Sequence, residues 1–323
     1  MRVAVMDDWQ GVALGSTDWS ALQARAEVVV LPQPFADEDA AASGLAGFEV
    51  LIPMRERTPL PGSLIARLPK LRLVALTGGR SPSLDIEACT RHGVQVCNTG
   101  GERSSIGTAE LTLGLLLAAA RRIPEGDAAI RAGRFQDGVG VGPVLDGRTL
   151  GIIGLGRIGT RVAAYGRALG MEVLAWSRSL DAEAAGRGGA ALASKDGLLA
   201  RSDAISLHVP LSPASRGLIG AAELARMKPG AILVNTSRGP LVDQAALLEA
   251  LHAGRIQAAL DVYDQEPLAP DHPLRHAPNT VLTPHVGYGT TDTFRQFYGE
   301  SVENVLAFLD GVPIRVLNPA ASR

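Results

Sequence analysis

Two rhythms of apolar residues alternate along this chain. Short runs rich in β-branched and aliphatic residues recur at Val3–Met6, Val28–Leu31, Val50–Pro53, Leu73–Leu76 and Val94–Cys97. Between them lie stretches with helical spacing, among them Leu64–Leu68 and Ile86–His92. Near-continuous apolar runs suit strands buried on both faces, so the alternation predicts a parallel sheet with helices on its faces. A helix predicted over 104–121 is apolar nearly all round, the pattern of a helix packed between domains or subunits. After a glycine-rich connection, Gly133–Val144, the first rhythm resumes. Strands are predicted at Leu150–Ile153, Val173–Trp176, Ala204–His208, Ala231–Asn235, Ala258–Val262 and Val281–Thr283. Helices lie between them, Asp243–Ala253 being the clearest, while Ala182–Ala193 reads as a surface helix or loop.

The tail returns to helix. Phe294, Tyr298, Val302, Val305 and Leu309 recur at steps of three or four and give one apolar face, which Gly311 and Pro313 terminate. This helix has no strand of its own to cover in the second half, so it is expected to cross back onto the N-terminal half. A chain of 323 residues is long for one core. The expected arrangement is α/β: two doubly wound parallel-sheet domains, a nucleotide domain of residues 99–286 inserted into a substrate domain made of 1–98 and 287–323.

Composition narrows the function classes. Charged residues make up 20% and the net charge is −2, with no Lys/Arg block, so neither a nucleic acid nor an anionic membrane is an expected partner. Met1–Asp8 lacks the sections of a secretory signal, and the most apolar run, Leu111–Ala120, falls short of the roughly 20 residues that span a bilayer. Cys89 and Cys97 are too few for a disulfide framework and lack metal-ligand spacing. Both read as core thiols, no metal is expected, and the cytoplasm is the expected compartment.

Gly154, Leu155, Gly156, Arg157, Ile158 and Gly159 form G-x-G-x-x-G between a predicted strand and a helical pattern over Thr160–Leu169. In that context Gly154 permits the turn, Gly156 lets the backbone approach a pyrophosphate, and Gly159 allows close packing. The helix N-terminus, with Arg157 and Ile158, then faces the phosphates. At the end of the second strand of such a unit an NAD site carries a carboxylate for the ribose. Here Ser177, Arg178 and Ser179 stand instead. A guanidinium pairs with a 2′-phosphate that a carboxylate repels, so the expectation leans to NADP(H) within NAD(P)H. The rival reading is a solvated arginine at a strand end.

Downstream come N-T-S-R-G (Asn235–Gly239), D-V-Y-D-Q-E-P (Asp261–Pro267) and T-P-H-V-G (Thr283–Gly287). Hydride transfer between a nicotinamide and a 2-oxo acid requires a cation for the carboxylate, a proton carrier for the oxygen and a group that tunes the carrier. Arg238, His285 and Glu266 answer to those needs in type. Five other histidines, His92, His208, His252, His272 and His276, have no comparable setting.

These segments, with G-L-G-R-I-G and Met227–Asp243, resemble the D-isomer-specific 2-hydroxyacid dehydrogenases, the group that includes glyoxylate/hydroxypyruvate reductases, D-lactate dehydrogenases and 3-phosphoglycerate dehydrogenases. The resemblance covers most of residues 145–290 and is looser before that. It implies a Rossmann domain inserted in a flavodoxin-like domain, with the active site in the cleft. It also implies that Arg238 clamps the substrate carboxylate, that His285 exchanges the proton and that Glu266 orients His285. Asp261 is placed at the nicotinamide carboxamide, with turn duty as its rival role. Thr108 is placed near the phosphates, His208, Val209 and Pro210 as backbone contacts, and Asn235 and Thr236 under the nicotinamide. For substrate, the resemblance points to Thr77, Gly78, Gly79 and Arg80 and to Arg55 and Arg57, although the two arginines also read as surface charges. Arg80 and Tyr288 depart from the residues usual at their positions, which bears on the choice of acid. A homodimer through the helix near 104–121 is expected. The rival functions are a formate- or phosphite-type dehydrogenase, which Glu266 argues against because formate enzymes carry glutamine there, and a non-catalytic dinucleotide sensor resembling corepressors of this fold.

Overall fold

A computed structural model describes residues 1–319, and the chain divides into two compact units. The first comprises Met1–Arg103 with the chain from Gly289 onward; the second is Ser104–Tyr288. No helix among the described residues is long and apolar enough to cross a membrane.

The first unit holds strands β1 (Arg2–Met6), β2 (Glu27–Leu31), β3 (Val50–Ile52), β4 (Leu73–Leu76) and β5 (Gln95–Asn98). They pair in the order β2-β1-β3-β4-β5, all parallel. This is the flavodoxin-like order, with its switch point between β1 and β3. Leu51, Val74, Leu76 and Val96 are buried on one face, against the helices Glu38–Leu45, Gly62–Ile65 and Ile86–Arg91. The helix Thr291–Leu309 belongs to the same unit and packs on β4 and β5 through a face that includes Phe297, Tyr298 and Val305.

The second unit contains β6 (Thr149–Ile153), β7 (Glu172–Trp176), β8 (Ala191–Leu192), β9 (Ala204–Leu207), β10 (Ile232–Asn235), β11 (Gln257–Leu260) and β12 (Thr280–Leu282). Their order is β12-β11-β10-β9-β6-β7-β8, again all parallel. Read from β6 outward, this is the doubly wound nucleotide-binding order with one further strand. Because side chains alternate across a strand, neighbours feed opposite cores. Leu233 joins one apolar cluster while Ile232 and Val234 join the other; Ala258 and Leu260 likewise oppose Ala259.

One local expectation gains a strand and another changes. The stretch Ala182–Ala193 is a helix, Ala182–Arg187, followed by β8, whose two exposed residues are too short to show a period. The long helix, Glu102–Ala120, is not buried all round. Ser104, Thr112, Leu115, Leu116 and Ala119 are buried on one side, while Leu111, Leu113 and Leu117 remain half-buried. Its Ala- and Leu-rich composition concealed that asymmetry.

Candidate active site

The carboxyl ends of β6, β7, β9, β10, β11 and β12 carry most of the candidate groups of the second unit. After β6, Gly154 adopts φ +99°, and a Cβ there would lie 2.6 Å from the His208 carbonyl oxygen. A Cβ on Gly159 would collide with the Gly154 carbonyl. These two glycines let the turn and its helix pack directly on the backbone. Gly156 is different: a Cβ there would meet nothing within 4 Å, so the space above the N-terminus of the helix Arg157–Ala168 is open. No side chain caps this helix. An open backbone face at the positive end of a 12-residue helix suits a pyrophosphate, so the residues present fit a dinucleotide.

At the end of β7, Ser177 is half-buried and Arg178 and Ser179 are exposed; Arg178 forms no ion pair among the described residues. At the end of β9, the His208 ring nitrogen Nε2 lies 2.8 Å from Ser206 Oγ, and burial pushes the imidazole down to about 3, so it is neutral. Val209 follows, its carbonyl accepting from Ser237 Oγ at 2.6 Å, and Pro210 is exposed.

Beyond β10, Asn235 brackets the next turn from both ends. Its Oδ1 accepts from the Ser237 N–H at 3.0 Å and its Nδ2 donates to the Arg238 carbonyl at 2.9 Å. The half-buried Arg238 donates through Nη1 to the Ser237 carbonyl at 2.7 Å. Gly239 then touches the backbone of Tyr263 and Asp264 so closely that any Cβ would collide with it. Glycine is required there because the arginine-bearing loop and the carboxylate-bearing loop meet backbone to backbone. Thr236 Oγ1 lies 2.8 Å from Thr112 Oγ1, and Thr112 donates to the Thr108 carbonyl.

The loops after β11 and β12 carry the tightest arrangement. His285 Nδ1 lies 2.5 Å from Glu266 Oε2, with the two side chains 30% and 31% exposed. That contact occupies Nδ1 and leaves Nε2 as the nitrogen able to face a substrate. Glu266 Oε1 accepts the Tyr263 N–H at 2.9 Å, so both carboxylate oxygens are held. His285 has φ +53°, a left-handed conformation that costs a non-glycine residue about 1 kcal/mol. Asp261 holds the chain in this shape. Its Oδ1 accepts from Thr283 Oγ1 at 2.6 Å and the Val286 N–H at 2.9 Å, and its Oδ2 accepts the Gly287 N–H at 2.8 Å. Burial pushes the Asp261 carboxyl up, against the pull of these three donors. The Tyr288 ring stands edge-on to His285, centroids 5.9 Å apart.

The remaining residues lie in the first unit, at the ends of β3 and β4. Arg55 has φ +56°, and its N–H donates to Thr77 Oγ1 at 2.8 Å, which in turn donates to the Pro53 carbonyl. A Cβ on Gly78 would strike the Arg55 guanidinium, which therefore lies against that glycine. The Gly78 N–H donates to Thr99 Oγ1 at 2.7 Å, and the Thr77 N–H has the Pro53 carbonyl at 3.5 Å. Gly79 and Arg80, which follow, are exposed. Arg57 turns elsewhere: it lies over the Trp9 ring at 4.3 Å and donates to the Asp7 carbonyl at 2.6 Å and to Gln10 Oε1 at 3.2 Å. The chain order does not reveal that divergence, nor the scaffolding work of Asp261, Gly239 and Ser237, because each depends on backbone approach.

The second unit's chemistry agrees with the chain's likenesses. Residues 113–287 match the family domain described as D-isomer specific 2-hydroxyacid dehydrogenase, NAD binding domain. A glyoxylate reductase of Aeropyrum pernix is 44% identical over 264 residues, which cover 79% of this chain and 78% of that protein. A D-3-phosphoglycerate dehydrogenase of Archaeoglobus fulgidus is 39% identical over 269 residues; the match takes in 83% of this chain but 51% of that longer protein. Among solved structures, a phosphoglycerate oxidoreductase from Vibrio cholerae superimposes with a TM-score of 0.90 at 38% identity, covering 96% of this chain and 99% of that one. The chain belongs to the D-isomer-specific 2-hydroxyacid dehydrogenase family, NAD-dependent oxidoreductases that act on the CH–OH group of their donors.

Proposed function

We propose that this protein acts as a reductase of a small 2-oxo acid, with Arg238, Glu266 and His285 as its catalytic residues. The observation that carries the proposal is the Glu266–His285 contact, which commits Nδ1 and presents Nε2. A bound nicotinamide supplies the hydride. Arg238 binds the substrate carboxylate and draws electron density from the carbonyl. His285 gives its Nε2 proton to the carbonyl oxygen, and Glu266 offsets the charge of the imidazolium and fixes the ring. In the reverse direction His285 takes the proton from the hydroxyl. The rest of the cofactor set comprises Gly154, Gly156, Arg157, Ile158, Gly159, Thr108, His208, Val209, Pro210, Asn235, Thr236 and Asp261. The substrate set comprises Arg55, Thr77, Gly78, Gly79, Arg80 and Tyr288; Arg57, engaged by Trp9, Asp7 and Gln10, stands outside it. Residues 99–286 form the dinucleotide-binding domain, and 1–98 with 287–323 the substrate domain. The protein works in the cytoplasm.

Reduction should proceed with at least one of glyoxylate, hydroxypyruvate, pyruvate, 2-oxobutyrate, phenylpyruvate, oxaloacetate or 2-oxoglutarate. In His285→Ala, kcat/KM should fall by about 10²–10⁴ while cofactor affinity holds, since that is the usual worth of a positioned proton donor. Binding of cofactor without turnover of any acid would replace this reading with a dinucleotide sensor.

The cofactor preferred is NADP(H), because exposed Arg178, beside Ser177 and Ser179, has no ion-pair partner among the described residues. Removing a charge-assisted contact worth about 1.5–3 kcal/mol should lower kcat/KM for NADPH roughly 10- to 100-fold in Arg178→Ala and leave NADH within about twofold. A wild-type preference for NADH would refute the assignment.

The protein forms a homodimer through the helix Glu102–Ala120 and the segment after it. Leu111, Leu113 and Leu117 are half-buried there, and Ile123, Ile130, Phe135, Val141 and Val144 are exposed to 54%, 57%, 75%, 100% and 71%. So much apolar surface on one stretch of chain calls for a partner. Light scattering at micromolar concentration should give twice the chain mass; a monomer would rule the dimer out.

A further inference from the structure

Three side chains of the loop after β11 reach across to the loop after β12, and the function above employs only two of them. Asp261 binds Thr283, Val286 and Gly287, and Glu266 binds His285. The third is Tyr263, whose hydroxyl donates to the Thr283 carbonyl at 2.9 Å. Its own N–H is the group that holds Glu266 Oε1. The last backbone link between the two strands is the Thr283 N–H on the Leu260 carbonyl; beyond it the loops are joined by side chains.

We propose that Tyr263 is a positioning residue for proton transfer: one end fixes Glu266, the other fixes the chain two residues before His285, and together they set the separation of the pair. This rests on the reading of Glu266 and His285 given above. The geometry favours such a device. Nδ1 and Oε2 are 2.5 Å apart although both side chains are nearly one-third exposed, so water competes for each partner unless their backbones are held. Tyr263 is itself 8% exposed and packs with Leu260 and Leu274 in the apolar cluster beneath the loops. Burial, reinforced by the nearby Asp261 and Glu266 carboxylates, pushes its phenol up to about 12, so the hydroxyl keeps its proton and its role as donor through the working pH range. Gly239 presses on the carbonyl of the same residue, so the Arg238 loop is registered against it too.

The test is Tyr263→Phe, which removes the hydroxyl and keeps the ring. Leu274→Ala serves as the comparison, because it weakens the same cluster without touching the bond to Thr283. In Tyr263→Phe, kcat for reduction should fall about fivefold to tenfold, the scale of one lost hydrogen bond, with the Kd for cofactor unchanged within about twofold. Leu274→Ala should lower Tm without that fall. A second readout does not require turnover. The far-downfield Nδ1 proton of His285, assigned by its loss in His285→Asn, should move upfield and exchange faster with water in Tyr263→Phe and stay in place in Leu274→Ala. A Tyr263→Phe protein whose downfield proton matches the wild type would overturn the proposal, because a fall in kcat by itself is what loss of packing alone gives. Should wild-type protein reduce no 2-oxo acid, the proton signal still decides the positioning role separately from the reaction.

Discussion

The hydrogen bonds of one buried carboxylate, Asp261, govern the geometry on which the chemistry depends. His285 sits in a left-handed conformation, and such a residue stays put only where its neighbours are fixed. Asp261 fixes them by taking the Thr283 hydroxyl on one side of the histidine and the Val286 and Gly287 amides on the other. Burying that carboxylate is costly unless it is satisfied, and the donors that satisfy it are those that shape the turn. The cost and the shape are therefore one arrangement. With the backbone held, a modest contact between two partly exposed groups, Glu266 and His285, becomes a defined pair.

The parallel sheet supplies the setting. In both units the candidate groups lie beyond the carboxyl ends of strands, where helices begin and loops of several strands converge. Close backbone approach does the rest, and it demands glycine at specific points. Gly154 and Gly159 bring the nucleotide turn onto its own helix and onto His208, and Gly239 brings the arginine loop onto Tyr263. Each works by the absence of a side chain. Gly156 differs in kind, since its missing side chain leaves open space and not a packed contact.

Much of this could be read from the residues alone, for a physical reason. Strands buried on both faces are apolar throughout, so the runs at Leu73–Leu76 and Ala204–Leu207 announce themselves without any partner in view. The nucleotide turn and the three segments bearing Arg238, Glu266 and His285 are tied to short, contiguous residue strings. The rest depends on three-dimensional relations that no string encodes. β8 has two exposed residues and no period. The buried side of the helix Glu102–Ala120 is hidden by a composition apolar on every side. Arg55 and Arg57, two positions apart, part company: Arg55 takes a positive φ that its residue type does not signal and lies against Gly78, while Arg57 lies over Trp9. The anchoring roles of Asp261 and Tyr263 follow from which carbonyls and amides end up within 3 Å, a property of the loops once folded.

In the proposed reaction Glu266 acts through His285 to hold the proton that the carbonyl oxygen takes up as hydride reduces the carbonyl carbon. The most direct measurement is kcat/KM for 2-oxo acid reduction by Glu266→Gln, with cofactor affinity measured alongside. Removing the carboxylate should lower kcat/KM by about tenfold or more, with the Kd for cofactor unchanged. A Glu266→Gln enzyme with the wild-type rate would contradict the account, because the pair would then contribute nothing to the proton's place or its transfer.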